Sequence, residues 1–420
     1  MTVAPRRPRH LAPLLLTLLV LLCLTLCLPA CSLGGSGDDK TLALVTIFPT
    51  SGPDAAVGQA LQQAVDLAVK QNGSLSNGYS LVVQHIDEAS ALRESQLATA
   101  LSNPEVVGIV GPYSSDTAVA YLPEIAAAGV ATVSPTTTLP GLTQSSVADA
   151  EGVPFAKIHP SGKPLTFFRL APTDDALGAS AADLAVAAKA SHGLAAHSIF
   201  LVDDGTASGK AATAAFAKEL KAKAGSVAGQ QSLTTGVNDN GQVVVNAIVE
   251  AFPDLVFYAG GLAGGAELRA TLSLSGAPQT AILAAGPVAN NPGWSDAVGQ
   301  ALISTHTTGV LPASDLDHLD SAKAFVSAWQ SAYSGKAALP QTALAYDAAM
   351  AEIAAIKTAT GKTVTRAAVA TALAATKLDG ATGAIAFDQN GDSTATPSFS
   401  VYVCDTKGAW SFQTTLTPHS

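Results

Sequence analysis

The sequence has few charged and few aromatic residues. Of its 420 residues, 13% are charged and 5% are aromatic, whereas 48% are hydrophobic. A chain this apolar can bury a core, which excludes an intrinsically disordered protein, and the core must rely on Ala, Val and Leu. Because 420 residues exceed what one hydrophobic core usually organises, we expect two domains.

Positive charge is also scarce. The formal net charge is -10, and no basic block occurs after the first ten residues. An acidic surface repels the phosphate backbone of DNA and RNA. The sequence therefore predicts no nucleic-acid partner.

The N-terminus carries a pattern typical of export signals. Three arginines within the first nine residues precede an apolar run at 11–28. The run ends in Leu28-Pro29-Ala30-Cys31, which resembles the cleavage motif of bacterial lipoproteins, where the cysteine is lipid-modified and becomes the first mature residue. The alternative is an uncleaved anchor, since roughly 20 apolar residues can span a bilayer. Both interpretations put the folded part outside the cytoplasm.

Cysteine usage agrees with such processing. We assign 1–30 to a signal peptide and 31–40, small and polar, to a flexible tether. Cys23 and Cys27 would leave with the signal, and Cys31 would carry the lipid. Cys404 would then have no partner for an internal disulfide, and we expect it to be a buried small hydrophobe in a strand.

From Thr41 onward, short apolar runs alternate with helical patterns, and the rhythm occurs once before Phe167 and once from there on. Runs of this kind, rich in β-branched residues, are typical of parallel strands buried on both faces. Strands that alternate with helices predict βαβ units, and hence an α/β protein with two doubly wound lobes. The predicted strands are 42–48, 81–86, 106–110, 130–133, 167–170, 199–202, 255–258 and 282–283.

Polar segments follow three predicted strands of the first half, at 49–52, 111–115 and 134–136. In open parallel sheets, ligands bind outside the carboxyl ends of the strands. A helix that starts just after Ser115 would also direct free N–H groups at an anionic ligand. Each segment alone is equally typical of a helix cap or turn, but three together favour a ligand cleft.

Two motifs suggest phosphate or calcium binding but are incomplete. The segment Asp204–Ala211 contains Gly-Lys before a predicted helix, yet Asp204 and Ala211 stand where a P-loop needs Gly and Ser or Thr. Asp388-Gln389-Asn390-Gly391-Asp392 begins like a calcium loop, but it lacks the distant glutamate and is typical of a hairpin turn.

No metal site or catalytic motif is predicted. The acidic residues around His318, from Asp315 to Asp320, fit a solvated helix start. The sequence contains no GxSxG, HExxH or CxxC motif. We therefore expect no cofactor and no enzymatic activity.

The quoted strand ends lie in longer segments that resemble the branched-chain amino acid binding proteins, which have the type I periplasmic binding fold. The likeness is carried by TIFPTSGPDAAVGQALQQAVDLAV, VVGIVGPYSSDTAVAYLPEIAAAGVATVSPTTTLPGLT, IFLVDDGTASGKAATAAF and GAIAFDQNGD. It implies two Rossmann-like lobes joined by a three-strand hinge, with crossings near Phe167, Thr307 and Gly383. Lobe one would combine 41–166 with 308–382, and lobe two 167–307 with 383–420.

The resemblance also implies site residues. Ser115 matches the serine that holds a ligand carboxylate, with Tyr113 and Ser114 beside it. Thr138 matches a threonine that contacts both ends of an amino-acid ligand, and Thr136 matches the residue whose carbonyl accepts from the ligand ammonium. Other positions depart from the family: Val57, Ser208 and Leu262 stand where its members have tyrosines, and Val288 stands where they have an acid.

These departures lead us to expect a ligand with a carboxylate, an apolar body and no free α-ammonium. A substitute counter-ion from Asp203, Asp204 or Glu151 stays open. An insertion at 145–164 separates LPGLTQ from FFRLAP. We expect a solvated surface loop there, and a cover for the cleft rim is the alternative.

Together with the lipid signal at Cys31, the resemblance leads us to expect a monomeric lipoprotein on the outer face of the cytoplasmic membrane. It would deliver a small solute to the permease subunits of an ABC importer. Closure of the two lobes around the solute is the hinge motion for which periplasmic binding proteins serve as the general example. The alternative function is a ligand-sensing domain that reports to a membrane receptor.

The assignment of a lipid to Cys31 predicts how the change of this residue to serine affects membrane attachment. Each buried methylene of a lipid chain contributes roughly 0.8 kcal/mol to membrane binding, so Cys31→Ser should release the processed protein from the membrane. Fractionation of cells that express either form measures this. Cys404→Ser is the matched control and should leave the membrane fraction unchanged. A signal-cleaved Cys31→Ser protein that stays with the membrane contradicts the lipid anchor.

Overall fold

The computed structural model describes residues 40–76, 78–189, 192–236, 239–304, 306–360 and 364–418. The predicted signal peptide, Cys31 and nearly all of the tether lie outside this part of the chain. Lys40, assigned to the tether, begins the first strand. Residues 40–420 form one compact unit. Among the described residues, no helix has both the length and the apolarity that a membrane crossing needs.

Two large sheets and one hairpin contain all the strands of the described chain. The first sheet is entirely parallel, with the order β2-β1-β3-β4-β5. The second has the order β14-β13-β10-β9-β8-β6-β7; β13 runs antiparallel to both of its neighbours, β10 and β14, and the other neighbours are parallel. The strands are β1 (Lys40–Phe48), β2 (Tyr79–Asp87), β3 (Val106–Val110), β4 (Ala131–Ser134), β5 (Phe167–Arg169), β6 (Ser198–Asp203), β7 (Ser226–Ser232), β8 (Leu255–Ala259), β9 (Ile282–Ala285), β10 (Thr307–Leu311), β11 (Lys377–Gly380), β12 (Gly383–Ala386), β13 (Phe399–Cys404) and β14 (Trp410–Leu416).

Helices connect the strands, as the alternating pattern predicts. Apolar positions at helical spacing face the sheets: Val57, Leu61 and Val65 of the first helix are all buried. The helices are α1 (Ala55–Asn72), α2 (Arg93–Ser102), α3 (Ser115–Ala128), α4 (Ser145–Ala148), α5 (Phe155–Ile158), α6 (Asp174–Val186), α7 (Ala207–Ala222), α8 (Gly241–Ala251), α9 (Leu262–Leu274), α10 (Trp294–Val298), α11 (Lys323–Ala332), α12 (Pro340–Ala359) and α13 (Arg366–Ala374).

Each large sheet has a hydrophobic core on both faces. Alternate residues of β1 point to opposite sides, so Leu42 and Leu44 join one core while Ala43 and Val45 join the other. The same alternation divides β6 between the two cores of the second sheet. The predicted α/β class with two doubly wound lobes is therefore confirmed. Cys404 is a free, buried thiol at the end of β13, as expected.

The chain crosses between the lobes later than predicted. β5 pairs with β4 in the first sheet, so the first crossing follows Arg169 and does not lie at Phe167. β10 lies between β9 and β13 in the second sheet, so the chain returns to the first lobe after Leu311. The third crossing, expected near Gly383, lies between the β11–β12 hairpin and β13. The reason is that the strands next to the hinge complete their ladders before the chain leaves the sheet.

The insertion at 145–164 is partly buried, so it is more than a solvated loop. Ala148 of α4, Ile158 of α5 and Val153 between the two helices lie in a core of the first lobe. Glu151 accepts a hydrogen bond from the N–H of Gly141 at 2.6 Å. None of its residues is among those that line the cavity between the lobes.

A buried ion pair holds the third crossing against the first sheet. The wholly buried Arg169 donates to Asp392 Oδ1 at 2.6 Å and to the carbonyl of Leu139 at 2.6 Å. Thr143 donates to the other oxygen of Asp392 at 2.9 Å. The turn at 388–392 therefore supplies a counter-ion, and no cluster with the make-up of a metal site occurs among the described residues.

Asp392→Asn should destabilise the fold, because it leaves the Arg169 guanidinium buried without a counter-ion. Loss of one partner of a buried pair costs about 3–5 kcal/mol, and we expect the low end because the Asp392 side chain is 23% exposed. Chemical denaturation measures the change in free energy of unfolding. The control is Asp320→Asn, which removes an exposed pair with Lys323 and should cost about 1 kcal/mol or less. Equal effects of the two changes would contradict the structural role of Asp392.

Candidate functional site

A cavity of about 180 Å³ lies between the two lobes. It is smaller than the roughly 300–1,000 Å³ of sites for drug-sized molecules, which favours a small solute. Its walls are the segments that follow strands of both sheets, together with the first turns of α3, α6, α7 and α12. The lining residues are Asp54, Tyr113, Ser114, Ser115, Asp116, Thr136, Thr138, Asp174, Leu177, Asp204, Thr206, Ser208, Gly209, Ala212, Ala259, Gly260, Gly261, Ala285, Gly286, Pro287, Leu311, Pro312 and Gln341.

The turn after β3 delivers three of the predicted site residues to this cavity. Gly111 begins the turn with φ +127°, and a Cβ there would lie 2.6 Å from the carbonyl oxygen of Ile47, so the position needs glycine. Ser114 then caps α3, since its hydroxyl oxygen accepts the N–H of Thr117. Tyr113, Ser114 and Ser115 all line the cavity, as predicted from the strand ends.

Glu88 accepts hydrogen bonds from two of these residues. Its buried carboxylate accepts from the N–H of Tyr113 at 2.7 Å and from the N–H and hydroxyl of Ser114 at 2.9 and 2.6 Å. Burial raises the pKa of Glu88, and these hydrogen bonds partly offset that rise. Ser114 is therefore a structural cap, and its donors are not directed at a ligand.

The Ser115 hydroxyl is free to donate a hydrogen bond into the cavity. Its hydroxyl oxygen accepts the N–H groups of Thr138 and Leu139, each at 3.2 Å. A serine hydroxyl has two acceptor lone pairs and one donor, so the remaining group is the O–H. The N–H groups of Ser115 and Asp116 open α3 and have no acceptor within the helix. These three donors can hold an anionic oxygen.

Thr136 and Thr138 also line the cavity. The hydroxyl of Thr136 donates to the carbonyl of Tyr113 at 2.8 Å, which joins the turns after β3 and β4. The Thr136 carbonyl accepts no hydrogen bond from a described residue. It is therefore available to a donor on a ligand.

A chain of hydroxyl groups connects the lobes. Ser208, at the start of α7, donates to Asp174 at 2.5 Å, and the hydroxyls of Thr138 and Ser208 are 3.1 Å apart. Ser208 uses its one proton in the bond to Asp174, and the Thr138 hydroxyl lies within hydrogen-bond distance of the Ser208 oxygen. The N–H of Asp174 also donates to the Thr138 carbonyl at 2.8 Å. Thr138 of the first lobe and Ser208 of the second thus meet at the buried Asp174 carboxylate.

Three of the positions at which this chain departs from the family do not line the cavity. Val57, Leu262 and Val288 are at most 1% exposed and are not among the lining residues. Val57 belongs to a core of the first lobe, and the other two belong to a core of the second. Short apolar side chains gain more by burial in these cores than at a wet cavity wall. We therefore correct their assignment as ligand contacts, and Ser208 is the one departing position that lines the cavity.

Sequence reasoning missed most of the acids in the cavity wall. Asp54, Asp116 and Asp174 all line it, together with Asp204, which had been weighed as a counter-ion. Asp203 and Glu151, weighed in the same way, do not. Asp54 follows β1 and Asp174 begins the helix after β5, so the strand-end rule that indicated Ser115 applies to them equally.

Comparison with known proteins gives one family. A family model described as "Periplasmic binding protein" matches residues 42–409. No curated protein matches the sequence significantly.

Solved structures with the same fold are numerous. One is a leucine binding protein LivK of Thermotoga maritima, with a TM-score of 0.72, 20% identity and coverage of 90% of this chain and 99% of that one. Another is LivJ of Streptococcus pneumoniae in complex with isoleucine, with a TM-score of 0.70, 20% identity and coverage of 90% and 99%. A third is a solute binding protein of R. palustris in complex with 4-hydroxybenzoate, with a TM-score of 0.71, 20% identity and coverage of 90% and 98%. They share the type I periplasmic binding fold with this chain.

The buried Asp174 carboxyl predicts a pH dependence of stability. Burial raises its pKa from 3.8 to about 7, which hydrogen bonds from Ser208 and Thr138 and the charge of Arg169 partly oppose. The folded state then binds a proton that the unfolded state has released, so stability falls as the pH rises from about 4 to about 7. The fall is at most about 1.4 kcal/mol for each pH unit in that window.

Asp174→Asn should flatten this part of the stability curve, because asparagine does not titrate. Urea unfolding at pH 4, 5, 6 and 7 measures the slope for wild type and variant. The matched control, Asp175→Asn, changes the exposed neighbour on the same helix and should keep the wild-type slope. If Asp174→Asn and Asp175→Asn give the same curve, Asp174 is not protonated in the fold.

Proposed function

Since this chain belongs to the periplasmic binding protein family, we propose that it is the extracytoplasmic solute-binding protein of an ABC importer. Its cavity would take up a small carboxylate-bearing solute, amino-acid-like or a related organic acid, and present it to the permease subunits. The observation that carries this proposal is the Ser115 hydroxyl, which faces the cavity with both lone pairs occupied by N–H groups.

The geometry of Ser115 suits an anionic oxygen. With its lone pairs engaged, the hydroxyl can act toward the solute only as a donor, and the free N–H groups at the start of α3 lie beside it. Charge-assisted hydrogen bonds of this kind are about twice as strong as neutral ones. We therefore place the solute carboxylate against Ser115.

The ligands of proteins with the same fold agree with this placement. Leucine, isoleucine and 4-hydroxybenzoate, named for the three compared structures, differ in size and polarity but share a carboxylate. An anion site at the start of α3 would serve all three. Selection among carboxylates would then depend on the rest of the wall.

The bridge from Thr138 through Ser208 to Asp174 suggests how binding would close the clamp. These hydroxyls connect the lobes and also line the cavity. A solute that contacts both walls binds the closed arrangement more tightly than the open one, which shifts the population toward closure. We propose that the permease recognises this closed form and that the lipid on Cys31 keeps it at the outer face of the cytoplasmic membrane, as a monomer.

Ser115→Ala and Thr138→Val should weaken binding of carboxylates. A hydrogen bond to a charged group contributes about 1.5–3 kcal/mol, so loss of the Ser115 donor should reduce affinity roughly tenfold or more. Thr138→Val removes the hydroxyl but keeps the shape of the side chain. The probes are L-leucine, L-lysine and 4-hydroxybenzoate, screened by thermal shift, and the tightest is then titrated by calorimetry.

The control for this experiment is Ser146→Ala, which removes an exposed hydroxyl away from the cavity. It should bind as the wild type does. Thermal unfolding of each unliganded variant shows whether it is folded, which matters because Ser115 also accepts two buried N–H groups. Folded Ser115→Ala protein with wild-type affinity would overturn the proposed carboxylate site.

A further inference from the structure

The cavity is lined by acidic side chains. Asp54 and Asp116 come from the first lobe, Asp204 comes from the second, and Asp174 begins the helix after the first crossing. None of the described residues that line the cavity is Lys, Arg or His. The wall therefore presents four carboxyl groups with no cation among them.

Two of these carboxylates line the cavity from opposite lobes. Asp116 lies at the start of α3 in the first lobe, and Asp204 lies after β6 in the second. Burial raises the pKa of Asp116 most, and the charge of Asp204 raises it further. The charge of the exposed Lys210 lowers it. Like charges repel, so closure that brings these carboxylates together costs free energy, which the charge of Lys210 offsets in part and a cation in the cavity would offset further.

Asp204 cannot turn away from this arrangement. One of its oxygens accepts the N–H and hydroxyl of Thr206, and the other accepts the N–H of Gly261 at 2.9 Å. These bonds fix the carboxylate at the turn between β6 and α7. The Asp204 side chain is therefore held in one position in the second wall.

Asp54 lacks a counter-charge. Its Oδ1 is shielded from solvent and has no hydrogen-bond partner in the described chain. Burial raises its pKa, and the opposing contribution comes from the neutral side chain of Asn291. A buried carboxylate oxygen without a partner is costly, and a cationic donor would satisfy it.

An independent observation points to a donor-bearing solute. Gln341, in the first turn of α12, is 7% exposed and lines the cavity, and its Oε1 has no hydrogen-bond partner. A buried amide oxygen is normally hydrogen-bonded. Gln341 Oε1, Asp54 Oδ1 and the Thr136 carbonyl are all hydrogen-bond acceptors. N–H groups of a solute would therefore pair with this part of the wall.

We propose that the solute has a net positive charge: it carries one carboxylate and more than one cationic nitrogen, the chemistry of an α-amino acid with a basic side chain. This inference rests on the proposed function, since it keeps the carboxylate at Ser115. An α-ammonium balances only the solute's own carboxylate. A second cationic nitrogen is needed to offset the wall, where Asp54, Asp116 and Asp204 face the cavity without a lining base.

The expectation of a ligand without an ammonium relied on Val288 as the position of the lost acid. Val288 is fully buried and does not line the cavity, so its apolar character carries no information about the solute's charge. The acids that do line the cavity stand at other positions.

The test compares solutes of equal size that differ in one charge. L-lysine is compared with L-norleucine, and L-arginine with L-citrulline, by thermal shift and calorimetry at low salt on the soluble mature protein. Each cationic member should bind at least about tenfold more tightly than its neutral counterpart, since a hydrogen bond to a charged group is worth that factor or more. Added salt should weaken the cationic members most.

Variants locate the interaction. Asp54→Asn should weaken lysine binding about tenfold and leave norleucine binding within about twofold, because only lysine brings the second cation. Asp149→Asn is the matched control: it removes the same charge at an exposed position outside the cavity and should change neither affinity. Circular dichroism of the unliganded variants confirms that they are folded.

The outcomes separate this inference from the proposed function. Norleucine or citrulline binding as tightly as its cationic counterpart, with a loss on Ser115→Ala, overturns the net-cationic solute and keeps the carboxylate site. Putrescine binding as tightly as lysine, with no effect of Ser115→Ala, keeps the cation and overturns the carboxylate site. Stabilisation by no member of the panel overturns both.

Discussion

The direction of the strands is the constraint on which the rest of this structure depends. Parallel strands joined by helices end at one edge of a sheet, and the turns that follow them cannot pair in the ladder. Here two such edges face the same cavity. Polar side chains and helix starts that would be ordinary caps on a single lobe are therefore brought together, and Thr138 and Ser208 meet although 70 residues separate them in the chain.

Buried acids hold the surroundings of the cavity in place. Glu88 binds the turn before α3, and Asp347 of α12 accepts the N–H groups of Ala381 and Thr382, each at 2.7 Å, which fixes the β11–β12 hairpin. Burial raises the pKa of Asp347 to about 6. Each of these carboxyl groups has protein donors. Asp54 Oδ1 and the Gln341 amide oxygen have no such donor among the described residues.

The sequence was sufficient for the fold because burial repeats along the chain. Short continuous apolar runs predicted eight strands, and the helical patterns between them predicted the connecting helices. The segments at the strand ends indicated Ser115 and Thr136, and the family resemblance indicated Thr138. Prediction was poorer wherever a residue's role depends on its neighbours in space. Glu88 accepts the hydrogen bonds of Ser114, and Val288 is buried in a core. Both facts depend on packing between segments that are far apart in the sequence. The late crossings have the same origin, since pairing with β4 and β9 extends β5 and β10 past the predicted boundaries.

The central claim is that the cavity between the sheets holds a solute by its carboxylate at Ser115 and by its cationic nitrogens at the acidic wall. A crystal structure of the soluble protein soaked with L-lysine tests it most directly. The account predicts a carboxylate oxygen within about 3 Å of Ser115 Oγ and a solute nitrogen within about 3 Å of Asp54 or of Gln341 Oε1. Lysine bound in the reverse orientation, or outside the cavity, would contradict it.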